Sequence, residues 1–358
     1  MIRYKFANET DQEFASTLKK RVNDYFKDNN LSKNANKQMI IKTVIAMSVY
    51  LVPFFIMIFG NITQIPLLFA LWIAMGFGKC FIGTSVMHDT LHGSYSKNKT
   101  VNFLMGISVL VLGIAPSIWK IQHNVLHHTY TNIEHADEDI QPRFVLRFTP
   151  NQPRRWFHRY QHIYSVFFYG LLTLVWVVIK DFFKLIDYKK KGLVKSGASY
   201  YLHHLEIVGR KIIYFAVFLA LPIYILPIPV WMTVVMFITM HFVTGVMLSL
   251  IFQTAHVIPS SDFIEQEEEK IERNFSVHQI LTTSNYAMNN KFLTWCIGGL
   301  NFQVEHHLFP SICHVHYASL SKIVQQTTKE FNLPYHSHHT FGAAINSHFK
   351  QLKDLGRG

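Results

Sequence analysis

The chain has 358 residues, of which 49% are hydrophobic and only 16% are Asp, Glu, Lys or Arg, with 30 Phe, 16 Tyr and 6 Trp. So few charges set aside a freely soluble two-domain enzyme, and the composition also excludes collagen-like, disordered and disulfide-rich classes. The formal charge of +12 has no nucleic-acid motif to accompany it; with 21 His in so apolar a chain, it points to basic loops beside a membrane and to a metal site.

Residues 1–10 lack an apolar h-region, so no cleaved signal peptide is expected. Residues 1–42 read as a cytoplasmic amphipathic segment, with a helix over 11–27 in which Phe and Leu recur among charges at helical spacing. Long apolar stretches follow at 43–60 and 65–87, each close to the ~20 residues that a helix needs to cross a bilayer. A second pair, 212–229 and 230–255, is separated by the LPIP sequence and reads as another helical hairpin. Two further apolar segments, 101–115 and 163–179, are taken as interfacial or re-entrant helices. A single crossing by either would put the histidine clusters on opposite sides of the membrane.

The fold class expected is therefore an all-α integral membrane protein with four spans in two hairpins. Lys180, Lys184, Lys189 to Lys191, Arg210 and Lys211 mark the cytoplasmic side. The acidic stretch EQEEEKIER, residues 265–273, reads as a solvated helix face. Cys80, Cys296 and Cys313 lie far apart, which leaves no dithiol or thiolate cluster and restricts a metal site to imidazole and oxygen ligands.

Four places carry the chemistry. His88 and His92 in HDTLH are four residues apart and project from one helix face. His123, His127 and His128 in HNVLHH repeat that spacing, with His128 expected about a quarter-turn away. Gln303, His306 and His307 lie in QVEHH, and His256 ends the last span in FQTAH. Eight imidazoles exceed what one four-coordinate zinc uses, so two ions are the natural count, with Zn, Cu, Fe and Ni all open by ligand type.

HDTLH, HNVLHHTYTN and QVEHHLFP resemble the three histidine boxes of the membrane fatty-acid desaturase family. The resemblance extends over residues 43–320 and includes Trp119, Asn124, Thr131, Asn132, Phe309 and Pro310 beside the boxes; residues 321–358 form a cytoplasmic C-terminal segment. It implies four spans under a cytoplasmic cap, a di-iron centre in that cap held by His88, His92, His123, His127, His128, His256, His306 and His307, and O₂-dependent formation of a cis double bond in a fatty acyl chain. The third box begins with Gln303 where many members have His, which is similar to the front-end branch and leaves Gln303 as a weak ligand or a hydrogen-bonder.

No HPGG haem motif is present, so the resemblance implies a separate ferredoxin or cytochrome b5-like electron carrier. The substrate is an acyl-CoA or an acyl-lipid. Asp89, Glu305, Asp137 and Asp139 are candidates to hold the second nitrogen of a ligand imidazole. Of two ionisable groups inside spans, Lys79 is expected to snorkel, and His241 is expected to bond between helices or, with Trp119, to line an acyl tunnel. A bacterial inner membrane suits the chain better than endoplasmic reticulum. The alternatives are a membrane di-iron hydroxylase and, from another class, a histidine-rich metal transporter.

Overall fold

A computed structural model describes residues 4–7, 9–141, 144–265 and 270–358. The helices that position the site are α1 (Gln12–Asp28), α2 (Lys37–Phe59), α3 (Ile65–His92), α4 (Lys99–Leu112), α5 (Pro116–His127), α6 (Trp156–Lys190), α7 (Ala198–Ile225), α8 (Val230–His256), α9 (Phe275–Thr282), α10 (Gln303–Leu308), α11 (Tyr317–Glu330) and α12 (Phe341–Arg357). They divide between two compact units. One comprises Lys37–Ile121 and Val166–Ser249; the other comprises Met1–Asn36, Gln122–Ser165 and Leu250–Gly358.

In the first unit, α2 and α3 form the expected hairpin, turned at Asn61 with φ +48° and restarted by Pro66 in the first turn of α3. Gly78 lets the two helices close together: a Cβ there would lie 2.6 Å from the Tyr50 backbone nitrogen. The segment 101–115 falls across a bend of 104° between α4 and α5, the geometry of a re-entrant or broken span. The segment 163–179, expected as an interfacial or re-entrant helix, lies inside a longer helix. It belongs to α6, which is 35 residues long and has a window of mean hydropathy 1.9. By length and composition five helices among the described residues are long and apolar enough to cross a membrane, α2, α3, α6, α7 and α8, or six if the bent pair α4–α5 is one span.

Two polar groups organise this unit. Lys211 donates to Asp181 Oδ2 at 3.0 Å and to the carbonyls of Trp176 and Val177 at 2.9 Å, in the π-helical stretch Trp176–Lys180 where the α ladder is interrupted. Asp181 also accepts from Trp176 Nε1 at 2.8 Å and from the Ala115 backbone at 3.2 Å, which anchors the α4–α5 bend to α6 and α7. Lys79 does not snorkel. Its ammonium is buried, donates to the Tyr214 hydroxyl at 2.6 Å and stands 4.3 Å over that ring, because the partner within reach lies inside the helix bundle.

In the second unit, Phe14, Leu18, Val22 and Phe26 of α1 recur every four residues and are buried in one cluster with Val277, Ile280, Val304 and Leu320. The apolar face of α1 is therefore covered by protein. Two short parallel pairs tie remote segments together: β1 (Lys5–Phe6) with β2 (Lys270–Ile271), and β3 (Asn285–Tyr286) with β4 (Ser337–His338). Lys270 and Ile271 are thus strand where a helix face was expected; residues 266–269 of that acidic stretch lie outside the described residues. His348 docks α12 by donating from Nδ1 to the Val257 carbonyl at 2.8 Å.

Replacing Asp181 with Ala leaves the buried Lys211 ammonium without its counter-charge and is expected to cost about 3–5 kcal/mol; Asp181→Leu combined with Lys211→Met should recover most of that in thermal unfolding. Burial pushes the His348 imidazole down to about 4, against the opposing bond to Val257. The unfolded chain then binds more protons between pH 4 and its ordinary value near 6.5. The stability it contributes is complete above about pH 6.5 and is lost as pH falls toward 4. His348→Phe should flatten that acid limb when melting temperature is followed against pH.

Candidate metal centre

In the first unit, His88 and His92 close α3 just after the π-helical turn Ile82–Met87, and Gly93 ends the helix at φ +74°, a left-handed conformation suited to glycine. Their rings lie 4.6 Å apart, and Trp119 stands 5.9 and 5.7 Å from them. Asp89 Oδ1 is 3.9 Å from His88 Nδ1, beyond hydrogen-bond reach. His241 lies elsewhere in this unit. Its Nδ1 is 3.0 Å from Thr173 Oγ1 and its Nε2 is 2.9 Å from the Tyr214 hydroxyl, forming a buried row that ends on Lys79.

The second unit brings six imidazoles together. The α5 stretch Ile121–His127 is π-helical, and the His128 amide donates to the His123 carbonyl five residues back at 2.9 Å. A turn closed at i+5 returns residue 128 beneath residue 123. His128, about a quarter-turn on from His127, thereby places its Nε2 3.1 Å from His123 Nε2. From α10, His306 and His307 approach His128 with ring centres at 4.5 and 4.4 Å. The imidazoles of His127, His256 and His307 form a second group, with one ring nitrogen from each lying within 4.8 Å of the others.

The far nitrogens are held by different acceptors. His127 Nδ1 faces both oxygens of Asp137 at 3.1 Å, and Asp139 Oδ2 lies at 3.6 Å. Burial alone would disfavour a charged His127, but the Asp137 and Asp139 carboxylates outweigh it and push the imidazole up to about 9, whereas burial and the neighbouring His127 hold His256 well below the usual imidazole range. His306 Nδ1 is 3.1 Å from the Tyr317 hydroxyl, and His256 Nδ1 is 3.4 Å from the Thr282 carbonyl. His256 Nε2 is buried and makes no hydrogen bond among the described residues. With His127 and His307 beside it, that bare nitrogen fits a cation better than an apolar contact, so the residues present suit a metal ion.

Glu305 does not face an imidazole in this arrangement. Its oxygens accept from Asn285 Nδ2 and the Tyr335 hydroxyl, both at 2.8 Å, and burial raises its carboxyl to about 7. Asn285 also accepts from the Val304 amide at 2.9 Å, so the pair fixes the start of α10. Gln303 is buried, with its Nε2 atom making no hydrogen bond among the described residues.

Asn132, at φ +55°, ties the loop after α5 to the end of α8. Its side chain donates to the His256 and Asp262 carbonyls at 3.1 Å, while its amide donates to Asp137 Oδ2 at 2.9 Å. Gln279 and His278 on α9 carry no motif and were not read as site residues. Their isolated place in HQILTT gave no signal.

Asp137→Asn keeps the shape at His127 but removes the carboxylate. Iron affinity is expected to fall 10–100-fold with the helical content unchanged, as read by metal titration and circular dichroism.

The sequence matches the fatty acid desaturase family model over residues 63–339, well over half of the chain. It is 34% identical over 354 residues to an acyl-lipid (8-3)-desaturase of Physcomitrium patens, covering 98% of this chain and 73% of the relative. It is 33% identical to the sn-1 linoleoyl-lipid 6-desaturase of Arthrospira platensis, covering 96% and 92%, and 31% identical to that of a Synechocystis strain, covering 96% of each. The match spans all three boxes, and the apolar helices make the protein multi-pass. This chain belongs to the fatty acid desaturase family and is a fatty acyl desaturase, an iron-dependent, oxygen-using membrane enzyme.

Proposed function

We propose that the protein is a front-end-type desaturase of acyl-lipids, placing a cis double bond between an existing one and the carboxyl end of the chain. The observation that carries this reading is the QVEHH form of the third box in a chain whose relatives are named acyl-lipid (8-3)- and linoleoyl-lipid 6-desaturases. The reaction removes two hydrogens from neighbouring methylenes; with O₂, two electrons and two protons it yields the alkene and two waters. Two irons, when bound, would supply the oxidising power for the C–H bonds.

The ligands proposed are His88, His92, His123, His127, His128, His256, His306 and His307, with Gln303 as a weak oxygen ligand or hydrogen-bonder. Six imidazoles converging in one unit, together with the matched first box, support that assignment. The chain's own work is placement. Asp137 orients His127, Tyr317 orients His306, and the Asn285–Glu305–Tyr335 group fixes the helix that carries box three. An apolar channel excluding water would hold one methylene pair in register, since a slip of one methylene is worth only about 1–3 kcal/mol.

Electrons would come from an external ferredoxin or cytochrome b5-like carrier, drawn by the basic charge of the protein. The site is proposed to open to the cytoplasm of a bacterial inner membrane.

Expression in a host lacking the activity, followed by gas chromatography with double-bond localisation on separated lipid classes, tests the reading. Wild type should add a double bond on the carboxyl side of an existing one, appearing in glycerolipids before the acyl-CoA pool. His127→Ala should abolish it. Gln303→His should lower conversion about tenfold or more without moving the bond. Hydroxy acids in place of new double bonds would refute desaturation, and label reaching acyl-CoA first would refute the lipid-bound substrate.

A further inference from the structure

Helix α9 runs beside the second group of imidazoles, and one of its side chains touches three parts of the site. Gln279 Oε1 lies 3.0 Å from His307 Nδ1 and accepts from the Thr131 hydroxyl at 2.9 Å; its Nε2 donates to the His128 carbonyl at 3.1 Å. The side chain is fully buried, as is Thr131. The His128 carbonyl can only accept, so it fixes which end of the amide is nitrogen, and the oxygen must then face His307. A carbonyl oxygen can only accept as well. His307 Nδ1 must therefore carry the proton, which leaves Nε2 as the nitrogen able to bind a metal.

Thr131 completes the lock. Its hydroxyl is 3.1 Å from His307 Nδ1 and 2.8 Å from the His127 carbonyl, and its own carbonyl accepts from His278 Nε2 at 2.8 Å. One glutamine thus couples the backbone of box two to the ring orientation of box three. We propose that Gln279 is a positioning residue for the metal centre: it sets the tautomer and aim of His307 and holds it in register with His127 and His128. The three imidazoles of this group are then backed by unequal acceptors, an amide for His307, the Asp137 carboxylate for His127 and the Thr282 carbonyl for His256. A neutral amide withdraws less proton density than a carboxylate, so His307 is a weaker donor to iron than His127.

The assignment rests on the iron reading above, and its test separates the two. Wild type, Gln279→Leu and Gln279→Glu are purified as full chains and loaded with iron. Iron affinity, Mössbauer spectra and melting temperature are then measured. Wild type should bind iron. The Leu variant, which leaves His307 Nδ1 only the Thr131 hydroxyl to face and strips the His128 carbonyl of its donor, should lose 10–100-fold in iron affinity, with a lower melting temperature even without iron. The Glu variant keeps the acceptor for His307 but loses the donor to the His128 carbonyl; it should hold iron more tightly than the Leu variant, with an altered quadrupole splitting at one iron because the acceptor at His307 is now a carboxyl group.

A Leu variant with wild-type affinity and spectrum would overturn the role of Gln279. Equal loss of iron in both variants, matched by equal loss of melting temperature, would overturn it in favour of a purely structural role. If the Leu variant does not accumulate, the Glu variant decides: an unchanged Mössbauer spectrum refutes the assignment. Wild type that binds no iron would refute the metal reading itself, and this assignment with it.

Discussion

An imidazole offers one ring nitrogen to a metal only when something holds the other nitrogen as a donor. That requirement organises the second unit more than any apolar contact does. Asp137 at His127, Tyr317 at His306, Gln279 with Thr131 at His307 and the Thr282 carbonyl at His256 each occupy a far nitrogen, and each comes from a different stretch of chain. Short tertiary links follow from the same need. The Asn132 side chain gathers the carbonyls at the end of α8, and Asn285 pins the start of α10. These segments are short and irregular, and buried hydrogen bonds hold them where regular packing does not.

The boxes were legible because a metal site demands particular side chains at particular intervals, and those intervals survive in a one-dimensional string. The turn geometry was not. Residue spacing alone cannot distinguish an α turn from a π turn, and it is the π turn that brings His128 beneath His123. Gln279 and Tyr335 were invisible for a different reason: an amide or a phenol becomes a partner only through contacts that fold together residues far apart in sequence. Glu305 was legible as a carboxylate within a box, but its direction was not, because Asn285 and Tyr335 claim its oxygens.

Hydropathy located the apolar segments well and their continuity poorly. The segment 163–179 stands out by composition, whereas α6 runs from Trp156 to Lys190 with polar and charged residues at both ends. Lys79 shows the same limit. A lysine near a span end ordinarily reaches for water, but here an aromatic hydroxyl and ring are closer, and the charge turns inward.

The ammonium of Lys211 rests on two backbone carbonyls and one carboxylate, all supplied by α6 and its π turn. During synthesis α6 emerges before α7, so the cradle for this cation exists before the cation does. A lone α7 entering lipid would carry an unneutralised charge, whereas α7 entering against α6 would not. The order of residues along the chain thus also prescribes an order of assembly, with α6 as the template on which α7 is received.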